Sequence, residues 1–234
     1  RHAFTSWRIS RRLRTDEAVE YTYGRGVEEI ISGRYDAALK FFKKVLKHDP
    51  KHQRALLRAG EMQRKLGSLD EAMDFHQKAH HQAEDDVVPL YALVDDYEAA
   101  GDWKRVESSL ERIIALKPKA SHTAYHRLRD HYIRQEKWHE AEAVQARIRP
   151  LHTHDPVKLE QDDNVALGIR YQIGLEKQKA GDLRAANAEF KKVLKKHPAF
   201  MPACLALGEN HLRSADRKSA LEIWEKGFLS TNSP

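Results

Sequence analysis

The sequence has very little cysteine and no long apolar run. Cys204 is the only cysteine among 234 residues, which excludes a disulfide within the chain and any zinc site made of four cysteines. We therefore expect a reducing compartment. No window approaches the roughly eighteen apolar residues that mark a membrane span, so we expect no span within these residues. The charged fraction is high, at 32%, and suits an extended, solvated shape.

Catalytic motifs are also lacking. The sequence contains no Walker loop, no GxGxxG, no GxSxG, no HExxH and no kinase signature. The acidic pairs Asp85–Asp86, Asp95–Asp96 and Asp162–Asp163 are interpreted as helix N-terminal charges or solvated turns rather than as general acid/base pairs. We therefore expect a protein that is not an enzyme, with no catalytic residue and no cofactor.

Histidine is abundant, with fourteen residues. His122 and His126 are spaced i, i+4 on a predicted helix, and His152 and His154 follow in a segment with no helical period. A zinc site needs three or four ligands that converge in space, and the spacing alone shows no such convergence. We expect no native metal site.

A repeat is the main positive feature of the sequence. GRYDAALKFFKKVLKHDP at 33–50 and GDLRAANAEFKKVLKKHP at 181–198 share ten of eighteen positions and lie 148 residues apart. The same pattern returns at steps of 34 residues, with apolar residues three and four apart, which predicts pairs of amphipathic helices. The turn between the helices of a pair carries a glycine in four units, at Gly33, Gly67, Gly101 and Gly181.

This pattern resembles the tetratricopeptide repeat (TPR), a helix–turn–helix unit of 34 residues. The resemblance implies an all-α, right-handed α-solenoid of about six units over residues 19–229, with a break between the fourth and fifth. We predict a basic N-terminal segment at 1–18, units one to four at 19–148, a break or linker at 149–163, and units five and six at 164–230. The break is either a linker or an elongated first helix in the fifth unit.

The concave face of such a solenoid is formed mainly by the first helix of each unit and usually holds a peptide or a helix of another protein. Projecting that face gives a basic groove with some aromatic surface, and arginine forks suit carboxylates, so an acidic segment or a free C-terminus is the expected ligand. A merely solvated charged face is the alternative. The predicted partner-binding residues are Arg54, Arg58, Glu61, Arg64, Lys65, Tyr91, Asp95, His126, Arg127, Asp130 and Arg134.

The first fourteen residues, RHAFTSWRISRRLR, contain five arginines and no acidic residue. Three interpretations stay open: a disordered basic tail, an arm that binds nucleic acid, and the cytoplasmic flank of a membrane span. Outside this stretch, 36 basic residues face 35 acidic ones, so we expect no nucleic acid as partner.

Two stretches resemble the cytoplasmic TPR portion of the lipopolysaccharide assembly protein LapB family of Gram-negative bacteria. RISRRLRTDEAVEYTYGRGVEEIISGRYDAALKFF at 8–42 has the layout of that family's flank and first repeat, and AGEMQRKLGSLDEAMDFHQ at 59–77 resembles its second repeat. The resemblance implies an adaptor on the cytoplasmic face of the inner membrane, which delivers a lipid A pathway deacetylase to the membrane protease FtsH. The family's membrane span and its CxxC metal knuckle are absent from this sequence, so an excised portion of such a protein and another bacterial TPR scaffold both remain open.

Three function hypotheses follow from the sequence. The first is a protein-binding scaffold, cytoplasmic and anchored to the inner membrane through a segment outside this chain. The second is a soluble TPR scaffold that assembles with copies of itself. The third is a helical array that binds nucleic acid.

Overall fold

A computed structural model describes the backbone of residues 2–231 and the side chains of residues 16–230. This part of the chain is all-α, with twelve α-helices, one short 3-10 helix and no strand, as the repeat pattern predicted. The side chains of the arginine-rich start, 1–14, lie outside the described residues. Among the described residues, no helix combines the length and the apolar character that crossing a membrane requires.

The chain divides into two compact units, Arg1–Pro118 and Lys119–Pro234. In each unit, a helix packs mainly against the helices before and after it in sequence, which is the packing of a TPR solenoid. The helices of unit 1 are α1 (His2–Ile31), α2 (Tyr35–His48), α3 (Gln53–Lys65), α4 (Leu69–Gln82), α5 (Val87–Ala100) and α6 (Trp103–Leu116). Those of unit 2 are α7 (His122–Arg134), α8 (Trp138–Ile148), a 3-10 helix (Arg149–His152), α9 (Pro156–Lys179), α10 (Leu183–Lys196), α11 (Met201–Arg213) and α12 (Arg217–Thr231).

In four of the six helix pairs, a large side chain of the second helix packs against a glycine of the first. In unit 1, Phe42 of α2 is fully buried, and a Cβ added to Gly26 of α1 would lie 2.6 Å from its ring. In unit 2, Phe190 of α10 faces Gly174 of α9 in the same way, at 2.4 Å. The missing Cβ lets the two helix backbones approach, which explains why the repeat places glycine there.

The turns between paired helices use the left-handed backbone region. The four turn glycines have φ between 70° and 84°. In the fourth and sixth units, the same turn position is held by Glu136 at φ 55° and Ala215 at φ 60°. A side chain in this region clashes with its own backbone, so these two turns are strained relative to the glycine turns.

The segment that interrupts the repeat period is largely helical. Residues 149–152 form the 3-10 helix, and α9 begins at Pro156 and runs for 24 residues, against 14 for α10. Asp155 caps α9 by accepting a hydrogen bond from the Lys158 backbone N–H at 3.1 Å, and proline at the first helical position is compatible with this start. The extra residues therefore lengthen the first helix of the fifth helix pair.

Candidate functional site

Five of the seven predicted binding residues of α3 and α5 line one cavity in unit 1. The cavity has a volume of about 410 Å³ and opens to solvent. Residues spaced by three, four and seven lie on one face of a helix, which brings the α3 side chains together at its wall. Its lining includes the predicted residues Arg54, Arg58, Glu61, Arg64 and Asp95, together with Tyr23 of α1 and Val88 and Ala92 of α5.

Arg54 is engaged by α1. Its guanidinium donates to the Glu20 carboxylate at 2.6 Å and lies 4.8 Å from the centroid of the Tyr23 ring. The side chains of Arg54 and Glu20 are both more than half exposed. An exposed ion pair of this kind is worth at most about 1 kcal/mol, so an incoming carboxylate can replace Glu20 at little cost.

Arg58 pairs within its own helix. It donates to the Glu61 carboxylate at 2.7 Å, and this hydrogen bond raises the pKa of the arginine further above its usual range. The Arg58 side chain remains about half exposed. It is therefore the second arginine of the cavity that a ligand can reach.

Arg64 is held much more firmly. Its guanidinium donates to Asp96 at 2.8 Å, to the Ala92 carbonyl at 3.2 Å and to Asp95 at 3.4 Å. Asp96 is completely buried, and only a fifth of the Arg64 side chain is exposed. Removing this arginine would leave the negative charge of the buried Asp96 without its main counter-charge. Arg64 therefore has a structural role, holding α3 against α5.

The buried carboxylate of Asp96 also binds His76 of α4. The His76 Nδ1 atom lies 2.5 Å from Asp96 Oδ2, and its Nε2 atom lies 3.1 Å from the Leu57 carbonyl oxygen. Both ring nitrogens therefore lie against an oxygen acceptor of another helix. His76 occupies the position of Phe42 and Phe190 in other repeats, and the structure satisfies it there, as expected for an interface residue.

The interpretation of the paired acids as helix N-terminal charges or solvated turns is wrong for two of them. Asp96 lies in the interior of α5 and is fully buried, and Asp162 lies in α9 and is 4% exposed. Each accepts hydrogen bonds from neighbouring elements, Asp96 from Arg64 and His76, and Asp162 from Gln145 and His152. Both aspartates are buried because a polar partner, His76 for Asp96 and Gln145 for Asp162, occupies a repeat position that is usually apolar and faces the interior.

Two predicted residues of unit 1 lie outside the cavity lining. Lys65 is exposed at the last residue of α3, beyond the cavity. Tyr91 of α5 is partly buried and does not line the cavity. The groove therefore differs from the expected basic surface, because the three arginines at its wall are already paired with carboxylates of the chain.

One of the four predicted residues of α7, His126, lines a different cavity, in unit 2. This cavity has a volume of about 530 Å³ and is also lined by Arg129, Lys158 and Asp162. Of the remaining predicted residues, Asp130 accepts from Arg129 at 2.8 Å, and Arg127, Asp130 and Arg134 do not line the cavity.

Three imidazole rings meet at the unit 2 cavity. The His152 ring stacks on His122 and on His126, with centroids 5.5 and 5.8 Å apart and ring planes within about 20° of parallel. Burial, and then the positive charge of Arg129, lower the pKa of His126. Nitrogen lone pairs lie in the ring plane, so near-parallel rings do not direct them at one point. No group of three metal-ligating side chains occurs among the residues that the structure describes.

Gln145 of α8 anchors the long helix α9 beside this cavity. Its amide donates to the Asp162 backbone carbonyl at 3.1 Å and to the Asp162 carboxylate at 3.2 Å, and its oxygen accepts from Arg129 at 3.0 Å. His152 of the 3-10 helix completes the network at 2.7 Å from Asp162. The inserted segment is thus fixed by buried polar contacts.

Sequence reasoning missed Tyr23 and Glu20 at the first cavity and His152 and Asp162 at the second. The first pair lies in α1, which the projection of the concave face did not cover. The second pair could have been predicted from Gln145. This polar residue occupies the repeat position of Phe42 and Phe190, and a polar side chain buried there requires a polar partner.

Comparison with known proteins supports the TPR interpretation. Residues 29–97 match the tetratricopeptide repeat family model. A solved tetratricopeptide repeat protein from Parabacteroides merdae is 15% identical, with a TM-score of 0.56 over 93% of this chain and 81% of that chain, and shows the shared fold.

Two further structures are similar over most of the chain. The MamA protein is 18% identical over 92% of both chains, with a TM-score of 0.48. YrrB, described as a TPR protein with an unusual peptide-binding site, is 17% identical over 81% of this chain and 91% of that chain, with a TM-score of 0.45. Comparison with curated protein sequences gives no match. The TPR family match thus covers residues 29–97, and the shared fold extends over most of the chain. None of these comparisons confirms the narrower resemblance to the LapB family.

Proposed function

We propose that this chain is a non-catalytic scaffold that binds an acidic protein segment, or a free C-terminal carboxylate, in the unit 1 cavity. The observation that carries the proposal is the convergence of Arg54 and Arg58 with the Tyr23 ring at one open cavity. Arginine forks bind carboxylates in a planar, bidentate way, and the aromatic ring offers an apolar surface beside them. In this proposal the other predicted residues that line the cavity, Glu61, Arg64 and Asp95, complete its wall.

Binding would proceed by exchange of carboxylates. The pairs of Arg54 with Glu20 and of Arg58 with Glu61 are exposed, so a ligand carboxylate can take the place of the chain's own. Arg64 keeps its bonds to Asp96 and holds the wall of the cavity in place.

Selection from a random peptide library displayed against the chain tests the proposal. We expect enrichment of peptides with clustered Asp and Glu or with an acidic free C-terminus, and loss of that enrichment in the variant Arg54→Glu/Arg58→Glu. Lys44→Glu is the matched control, since Lys44 is exposed on α2 in the same unit and outside the cavity. Enrichment without acidic residues, or enrichment that the double variant retains, would exclude this cavity as the site.

The finer proposal concerns the biological role. On the resemblance of residues 8–42 and 59–77 to the LapB family, the scaffold is an adaptor anchored at the cytoplasmic face of the inner membrane that brings a lipid A pathway deacetylase to FtsH. The basic start of the chain supports this role as the flank of a membrane anchor.

The adaptor role is tested in cells. Co-purification of the full gene product with both the protease and the deacetylase is expected, together with slower turnover of the deacetylase in the Arg54→Glu/Arg58→Glu variant. Unchanged turnover after deletion of the gene would remove this role and leave the scaffold with another partner.

A further inference from the structure

A third cavity, in unit 2, combines an apolar floor with unpaired positive charge. It lies among α10, α11 and α12 and has a volume of about 400 Å³. Leu194 of α10, Leu207 of α11 and Ile223 of α12 form the floor, and the Sγ atom of Cys204 lies beside them. Ligand cavities of about 300–1,000 Å³ with mostly apolar walls and a few polar groups are typical of small-molecule sites.

Three lysines stand at the rim of this cavity. Lys191 and Lys195 of α10 and Lys226 of α12 are exposed, and no carboxylate is among the residues that line it. Within the described part of the chain, none of these three ammonium groups forms an ion pair. The unit 1 cavity differs, because its arginines are paired with the chain's own acids. An anionic group on a ligand would thus complement the positive charge at the rim of the unit 2 cavity.

The chemistry of the side chains that line this cavity favours an alkyl chain over a peptide as the ligand. The lining side chains are lysine, leucine, isoleucine, proline, cysteine and glycine, and none of them carries an oxygen acceptor. The Cys204 thiol itself donates to the Pro198 carbonyl at 3.7 Å. Amide N–H groups of a buried peptide would find no side-chain acceptor there, whereas an alkyl chain needs none.

The geometry points to a binding site for a single-chain amphiphile with a carboxylate head, such as a medium-chain fatty carboxylate. The alkyl chain lies on Leu194, Leu207 and Ile223, and the head group meets the lysine rim. Lysine suits this head because its ammonium is a point charge on a flexible apolar stem, and the stem can lie along the bound chain. This inference rests on unit 2 alone and does not depend on the proposed function in unit 1.

Calorimetric titration with decanoate, below the concentration at which it forms micelles, tests the site. We expect saturable binding of one decanoate per chain, weaker binding of acetate, which has the head alone, and weaker binding of decyltrimethylammonium, which has the same chain with a cationic head. Lys191→Glu/Lys195→Glu/Lys226→Glu should weaken decanoate binding about tenfold or more, since three attractive contacts become repulsive.

Lys218→Glu is the matched control, because Lys218 is on α12, is 90% exposed and lies outside the cavity. It should leave decanoate affinity unchanged. The inference is overturned if decanoate fails to saturate, if the cationic amphiphile binds equally well, or if the control variant weakens binding as much as the triple variant. Binding of an acidic peptide at the lysine rim without decanoate binding would also overturn it.

The single cysteine provides a second readout. Cys204 is the only thiol in the chain and lines this cavity, so its rate of thiol–disulfide exchange with a neutral aromatic disulfide such as 4,4′-dithiodipyridine reports on the cavity alone. Burial raises the pKa of this thiol, so the reaction is measured at alkaline pH. Decanoate should slow the reaction in the wild type and not in the triple lysine variant. Equal rates with and without decanoate in the wild type would contradict the site.

Discussion

At the scale of single residues, the two turns without glycine are the simplest places to test the fold. Glu136 and Ala215 hold φ of 55° and 60°, where four other units use glycine. Glu136→Gly should raise the free energy of unfolding by about 0.5–1 kcal/mol, because glycine has no Cβ that clashes with the backbone in the left-handed conformation. Urea unfolding followed by circular dichroism measures this.

The control for the turn is Glu140→Gly, which makes the same substitution inside α8 at an exposed position. There glycine should lower stability by up to about 1 kcal/mol, because it is a poor helix former and the substitution also removes a negative charge from the first turn of the helix. Two changes of the same sign would contradict the strain argument.

The buried carboxylate of Asp96 gives a second prediction at this scale. Asp96→Ala should destabilise the chain by about 3 kcal/mol or more, because Arg64 loses its buried counter-charge and His76 loses a buried hydrogen-bond partner. The double variant His76→Phe/Asp96→Leu should recover much of that loss, since phenylalanine is the residue of the repeat and packs without a charge. A double variant less stable than Asp96→Ala would show that the network has no apolar substitute.

At the scale of the helix, the N-terminal caps link stability to pH. Asp102 caps α6 by accepting from the Arg105 backbone N–H at 3.0 Å, and this bond, with the Arg105 side chain, lowers the pKa of Asp102 below its usual value of 3.8. A carboxyl whose pKa is lower in the folded chain stabilises the fold above its unfolded pKa, and the contribution is lost as pH falls through the folded pKa.

Asp102→Asn should therefore resemble the wild type at neutral pH, because asparagine caps as well as aspartate. Below about pH 4 the variant should lose less stability than the wild type, because asparagine does not titrate. Urea midpoints between neutral and acidic pH measure the difference. Asp74→Asn, at an exposed carboxylate of α4 that pairs only with Lys78, is the control and should not flatten the curve.

The helices were predictable because their signal is periodic and local. The 34-residue repeat marked the turn glycines, and the structure places all four at positive φ. The elongated α9 was less accessible, because residues 149–163 lack the apolar period from which helices are read. Its helical form depends on Gln145 and His152, which fix Asp162 from other elements, and such contacts are not visible in a linear pattern.

The candidate sites were only partly predictable for a related reason. The helical projection grouped residues of α3 by their three- and four-residue spacing, which fixes a face, and four of them line one cavity whereas Lys65 does not. It could not show that Glu20, Glu61 and Asp96 neutralise the arginines of that face, because two of these three acids lie on other helices. Charge counted along one helix therefore overstated the basic character of the groove.

At the scale of the molecule, the formal net charge of +6 gives a prediction about binding. Affinity for an acidic peptide in the unit 1 cavity should fall severalfold as salt rises from about 0.05 to about 0.5 M, because exposed charges are screened beyond the Debye length. Fluorescence anisotropy of a labelled peptide measures this. An amidated peptide in which glutamine replaces glutamate should show weak binding with little salt dependence, and a strong salt effect on that peptide would point to non-specific attraction instead.

The buried polar pairs also bear on how this repeat array can evolve. His76 and Asp96 belong to consecutive repeats of unit 1, and Gln145 and Asp162 to consecutive repeats of unit 2. In an array of uniform repeats, recombination can delete or duplicate a module and leave every junction equivalent. Here the loss of one module would strand a carboxylate in an apolar junction. The polar pairs therefore fix which repeats must be neighbours, and we expect rearrangement of the repeats to destabilise the chain.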